Sequence, residues 1–228
     1  MEDFATIRAR AAARKGGEAA LDALMPEVKS ADALRAIPDD RWLAGMAKRI
    51  FQAGFVWKVI EDKWPGFEAA FGGFDPRRVA MMSDGDLDAL LADDRIVRNG
   101  RKIEATRENA VFLVDLAREH GSAAGFFADW PDEDYIGLLE VLKKRGSRLG
   151  GFTGQAFLRH MGKDSFIINP DVCAALVAAG VIDKAPKTVG TLPKGDFAKV
   201  QAAFNAWRAE SGRPMAHIGR TLACSIDA

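Results

Sequence analysis

The sequence predicts an all-α protein of about ten helices, in one compact or two abutting helical lobes. Apolar residues recur at helical spacing along the chain between short Pro, Gly or Asp interruptions, and no sustained alternating run would build a sheet. Strands are limited to possible short hairpins near residues 166–168 or 187–192.

Taken in order, Phe4 to Leu24 is rich in Ala and Arg and reads as a helical arm that Gly16-Gly17 splits in two. Residues 1–29 are therefore set apart from a helical domain over 30–228. Within that domain "SADALRAI", "DDRWLAGMAKRIFQAGFVWKVIEDKW" and "PGFEAAF" follow one another as helical patterns. The next helices begin after Asp75-Pro76 and at Ser83, where Asp86 three residues on completes a capping arrangement. From Arg101 to His120 the spacing puts Ile103, Ala110, Leu113, Val114 and Ala117 on one face, and Gly121 stops the helix. After Asp183, "KAPKTVGTLPKG" reads as a loop. The following helix carries Phe197, Val200, Phe204 and Trp207 on one side, and the C-terminal piece turns at Gly212–Pro214.

At 228 residues the chain can bury a full core. Its 32 basic and 32 acidic residues cancel, so any electrostatic partner must be met by a local patch. Cys173 and Cys224 are too few for a disulfide framework and lack the spacing of a zinc module, which suits a reducing cytoplasm. The N-terminus has too many charges for a signal peptide, and the longest apolar run, 172–182, is too short to span a bilayer. A soluble protein without membrane association is expected. His120, His160 and His217 show no metal or triad spacing.

The local patch is "KKRGSRLGGFTG", residues 143–154. Between Val141 and Lys163 there are six cations (Lys143, Lys144, Arg145, Arg148, Arg159, Lys163) and no acid. A turn without Cβ atoms at Gly150, Gly151 and Gly154 presents backbone N–H groups to an anion, and the positive end of the following helix adds to them. Lys143, Lys144 and Arg148 would supply charge. Composition alone weighs this phosphate-binding hairpin equally with a solvated basic loop. The same choice applies to Arg95, Arg98, Arg101, Lys102 and Arg107, a second phosphate track or a solvated helix face.

Gln52-Ala53-Gly54 with Trp57, Phe74-Asp75-Pro76, Ile96-Val97-Arg98 with Lys102-Ile103, Asn109-Ala110, and Leu142 to Gly146 occur in the order that resembles the 3-methyladenine DNA glycosylase I family, within the helix-hairpin-helix glycosylase superfamily. The resemblance covers roughly residues 45–180. It implies an all-helical fold, a hairpin that grips the DNA backbone, and an aromatic at Trp57 that stacks on an extruded base. An enzyme acting on a base must take it out of the duplex, and a cationic alkylated purine adds a cation–π contribution to the stack. Gln52 and Phe55 would line the base pocket, Phe55 also as a wedge. Arg98 and Lys102 are the members of the second basic run that the resemblance reaches.

Three features depart from the family pattern. The carboxylate expected four residues before Ala53 is Arg49, which cannot accept a hydrogen bond from an exocyclic amine and repels a cationic base. The pocket-closing tyrosine segment has no counterpart, since Tyr135 is the only tyrosine. The zinc-ligand positions fall at Asp171 and Ala175, and no zinc is expected. Asn169 stands where many helix-hairpin-helix glycosylases place a catalytic Asp, and Asn169-Pro170 also fits a helix cap. Asp171 is left as the carboxylate to assist oxocarbenium formation. The expected activity is hydrolysis of the N-glycosidic bond of an alkylated purine such as 3-methyladenine, in double-stranded DNA, by a cytoplasmic monomer. A non-catalytic lesion-binding protein is the alternative. No cofactor is expected beyond a monovalent cation held by hairpin carbonyls.

Overall fold

The computed structural model describes residues 1–186 and 192–226. Among these residues there is no strand, and fifteen α-helices follow one another. They are α1 (Phe4–Lys15), α2 (Glu18–Asp22), α3 (Ala31–Arg35), α4 (Asp39–Gln52), α5 (Trp57–Asp62), α6 (Trp64–Ala70), α7 (Pro76–Ala80) and α8 (Asp84–Ala92). Then come α9 (Gly100–His120), α10 (Ala123–Asp129), α11 (Tyr135–Arg145), α12 (Phe152–Met161), α13 (Pro170–Ala178), α14 (Lys194–Ser211) and α15 (Met215–Cys224). The higher number than about ten comes from short pieces of five or six residues, each too short to show a period of its own. Residues 166–168 form no strand, and most of 187–192 lies outside the described residues.

Local chemistry accounts for many of the boundaries. Asp3 caps α1, which ends in left-handed Gly16. Ser83 and Asp86 form a reciprocal capping box on α8, and Asn99 caps α9 through the Lys102 amide. At 21 residues, α9 is the longest helix and packs against α4, α7, α8 and α10. Because neighbours surround it, burial extends beyond the expected stripe to Lys102, Thr106, Asn109, Phe112 and Leu116, while Val114 and Ala117 are only half-buried.

One hydrophobic core runs from Phe4 to Leu222. Trp42 stacks on Phe127 with ring centroids 4.5 Å apart, and Phe166 on Phe204 at 3.9 Å. Such pairs add about 0.5–1.5 kcal/mol beyond burial. Phe4 and Ile7 of α1 belong to this core, and the Glu210 carboxylate accepts from the amides of Phe4 and Ala5.

The pattern from Asp39 to Trp64, continuous in sequence, is broken in the structure between α4 and α5. Ala53 leaves the helix in an extended conformation (φ −61°, ψ 115°), and Gly54 follows in a left-handed one (φ 73°). The buried Lys102 ammonium donates to the carbonyls of Phe51 (3.0 Å) and Ala53 (2.6 Å), two oxygens that a helix end leaves unpaired. The chain then reverses and presents residues 55–57 to solvent.

Candidate nucleic-acid and base-binding site

The hairpin lies between α11 and α12. Lys143 and Lys144 end α11, where cations suit the negative end of the helix. Arg148 is exposed in a left-handed conformation (φ 57°), strained for a non-glycine residue and costing on the order of 1–3 kcal/mol. Among the described residues no carboxylate pairs with Lys143, Lys144 or Arg148. Gly151 is the N-cap of α12 and offers no side-chain acceptor, so the first amides of that helix remain for an external acceptor. Gly154 is required by close approach, because a Cβ there would stand 2.3 Å from the Leu149 carbonyl oxygen. Gly150 has no such constraint, its nearest neighbour being the Lys143 side chain at 3.5 Å.

Not every cation of the acid-free run belongs to this patch. Lys163 is buried, donates to the Trp130 carbonyl (2.7 Å) and pairs with Asp132 (2.9 Å). Arg159 is turned inward onto the Ser165 carbonyl, and Arg145 pairs with Glu119 while lying over Phe112. The open positive charge is therefore confined to the turn.

Asn109 holds the turn from below. It is fully buried, its amide nitrogen donates to the Ser147 carbonyl, and its oxygen accepts from the Ser147 amide, both at 2.9 Å. The sequence contains a signal for this residue, a lone amide within the apolar face of α9.

The second half of the candidate site is the joint between α4 and α5. Trp57 is 53% exposed and Phe55 39%. The Lys102 ammonium lies 4.3 Å from the Phe55 ring centroid, and the Arg49 guanidinium 5.5 Å from that of Trp57. Arg49 Nη1 donates to Gln52 Oε1 (2.9 Å), and Gln52 Nε2 donates to Glu61 Oε1 (3.2 Å). Glu61 also pairs with Lys48 at 3.3 Å. This carboxylate, one helical turn beyond Trp57, was not singled out by the sequence.

Lys102 requires a correction. It is 4% exposed and committed to two carbonyls, so it cannot reach a phosphate. Desolvation, with the nearby Arg148 charge, pulls its pKa down to about 8. Arg98, by contrast, is exposed. Asn169 accepts from the Val172 amide (2.8 Å) as the N-cap of α13, and Asp171 lies in the first turn of that helix.

Among the described residues, no three His, Cys, Asp or Glu side chains are grouped to hold a metal ion. No described helix is long and apolar enough to cross a membrane.

Comparison with known proteins covers the same region. A family model described as methyladenine glycosylase matches residues 38–162, which includes both the joint and the hairpin. A DNA-3-methyladenine glycosylase of Haemophilus influenzae is 29% identical over 130 residues, 49% of this chain and 70% of that protein. DNA-3-methyladenine glycosylase 1 of Escherichia coli is 39% identical over 59 residues, 26% of this chain and 32% of that protein. The structure of 3-methyladenine DNA glycosylase I from Staphylococcus aureus superposes with a TM-score of 0.50 and 26% identity, covering 55% of this chain and 77% of that one. With the family model spanning more than half of its residues, the chain belongs to the methyladenine glycosylase family.

Proposed function

We propose that the protein is a DNA glycosylase that hydrolyses the N-glycosidic bond of an alkylated purine, the class to which 3-methyladenine belongs, after the base leaves the stack of double-stranded DNA. The observation that carries this reading is the double use of α9. Lys102 supports the joint that presents Trp57, and Asn109, seven residues on, supports the hairpin. Two turns of one helix, about 10 Å, thus set the spacing between a phosphate clamp and an aromatic platform.

In this reading Lys143, Lys144 and the amides at Gly150, Gly151 and Gly154 hold phosphate, with Arg148 and Arg98 beside them, and fix position without reading sequence. The extruded base stacks on Trp57, an interaction worth about 1–3 kcal/mol, while Phe55 and Gln52 line the pocket. Water adds at C1′ as the base departs with the electron pair of the glycosidic bond, and Asp171 supports the cationic sugar. A monovalent cation at the turn would draw on carbonyls from Arg148 to Gly151, since that of Ser147 is taken by Asn109. The chain acts as a monomer.

A second reading, lesion binding without excision, is favoured by one observation: a guanidinium rather than a carboxylate faces Trp57. Chromatography of bases released from duplex DNA carrying methylated and etheno purines separates the two. Release that falls about 5- to 150-fold in Trp57→Ala, the range set by stacking, supports excision. Binding with no release establishes the second reading.

A further inference from the structure

Arg49 is poorly satisfied for a half-buried cation. Nη1 is held by Gln52, but Nε is buried without a hydrogen-bond partner, and no carboxylate lies within ion-pair distance among the described residues. Its cationic neighbours, by contrast, are paired. Next to Arg49 on α4, a cleft of about 280 Å³ is lined by Lys29, Arg41, Lys48, Trp64 and His160. Of the cations around it, Lys29 pairs with Glu27 (3.9 Å), Arg41 with Asp40 and Glu68, and Lys48 with Glu61, which leaves Arg49 as the member of this group without a carboxylate among the described residues. His160 is exposed at one side of this cleft, and partial desolvation of its ring, followed by the charges of Arg49, Lys48 and Lys29, pushes its pKa down to about 4.

A guanidinium has donors and no acceptor, so the purine edge that meets it must accept. A cationic 3-methyladenine would suffer charge repulsion here, and its exocyclic amine would face further donors. A neutral alkylated purine avoids the repulsion, and 1,N6-ethenoadenine, which has no free exocyclic amine, or O6-methylguanine through its N7 and O6 edge, presents acceptors to the guanidinium. We propose that Arg49 is the specificity-determining residue of the site and turns it toward neutral alkylated purines that present acceptors, away from cationic ones. This inference rests on the reading of Trp57 as the platform for an extruded base, which both functional readings share.

A neutral base is a poorer leaving group, and the same guanidinium compensates for that. As the C1′–N9 bond breaks, its electron pair goes to the purine, and the negative charge spreads to the acceptors that Arg49 contacts. Water supplies hydroxyl to C1′ and a proton to the base, giving an abasic sugar and the free purine.

The test uses the full chain with duplexes containing O6-methylguanine, 1,N6-ethenoadenine or 3-methyladenine, and reads both single-turnover release and binding by fluorescence anisotropy. The wild type is expected to release a neutral lesion at least about tenfold faster than 3-methyladenine. Loss of one bidentate contact in Arg49→Gln should lower neutral-lesion release about 5- to 150-fold, and Arg49→Glu should shift preference toward 3-methyladenine. Faster release of 3-methyladenine by the wild type, or an Arg49→Gln loss equal for every lesion, overturns the inference and leaves the glycosylase reading intact. If no lesion is released, that reading fails instead. Anisotropy then decides the inference: an Arg49-dependent preference for neutral lesions upholds it, and equal binding overturns it.

Discussion

The hairpin and the α4–α5 joint both contain cations from basic stretches of sequence, and the structure uses them in opposite ways. At the hairpin, Lys143, Lys144 and Arg148 extend into solvent without carboxylate partners among the described residues. At the joint, Lys102 is spent on two helix-end carbonyls, and Arg49 lies against Trp57 and Gln52. A cation can hold a ligand phosphate only when its charge is not already committed inside the fold. By that criterion the hairpin is the stretch whose charge is open to a phosphate, and Lys102 is a residue that supports the α4–α5 joint from inside.

The largest expected effect tests the open charges. Replacing Lys143, Lys144 and Arg148 with Gln should reduce DNA affinity about a hundredfold and lower the slope of log affinity against log salt by roughly 2–3. The loss should be equal for damaged and undamaged duplexes, with the unfolding midpoint nearly unchanged. An unchanged salt slope in anisotropy titrations would break the comparison.

Lys102→Met should act through the fold instead. It leaves the carbonyls of Phe51 and Ala53 without a donor and is expected to cost about 1–3 kcal/mol in urea unfolding, with lesion excision reduced more than non-specific binding. The pH dependence sharpens the assignment. The folded-state pKa of Lys102 is about 8 against an ordinary 10.5, so the unfolded chain holds the extra proton between these values. Wild-type stability relative to Lys102→Met should therefore rise as pH climbs through that window. A flat difference would mean that the ammonium is not desolvated.

The smallest effect separates hairpin shape from hairpin charge. Gly154→Ala places a methyl group against the Leu149 carbonyl and should destabilise the protein by about 1–3 kcal/mol, as overpacking does. DNA affinity would fall with no change in the salt slope, because every phosphate-facing cation remains. A reduced slope would show that turn shape and charge cannot be separated.

Several features were legible in the sequence because they are local. The helical period, the Ser83–Asp86 cap, the Gly121 stop and the Asn169-Pro170 start depend on backbone and side-chain groups within a few residues of one another. The break at Gly54 was not legible, since the apolar spacing continues through it and the lysine that receives the free carbonyls comes from α9, 49 residues away. The acid-free run likewise suggested one patch of six cations, whereas Lys163 and Arg159 face inward.

By itself, then, the sequence determined the all-helical class, the presence of a glycine-rich basic turn, and the arginine that stands where a carboxylate was expected. Tertiary structure alone decided which cations remain open, which carbonyls Lys102 closes, and that Gln52 links Arg49 to Glu61. The physical reason is reach. Helical period and capping act within a turn of the chain, while a long cationic side chain is claimed by whatever acceptor another helix brings to it.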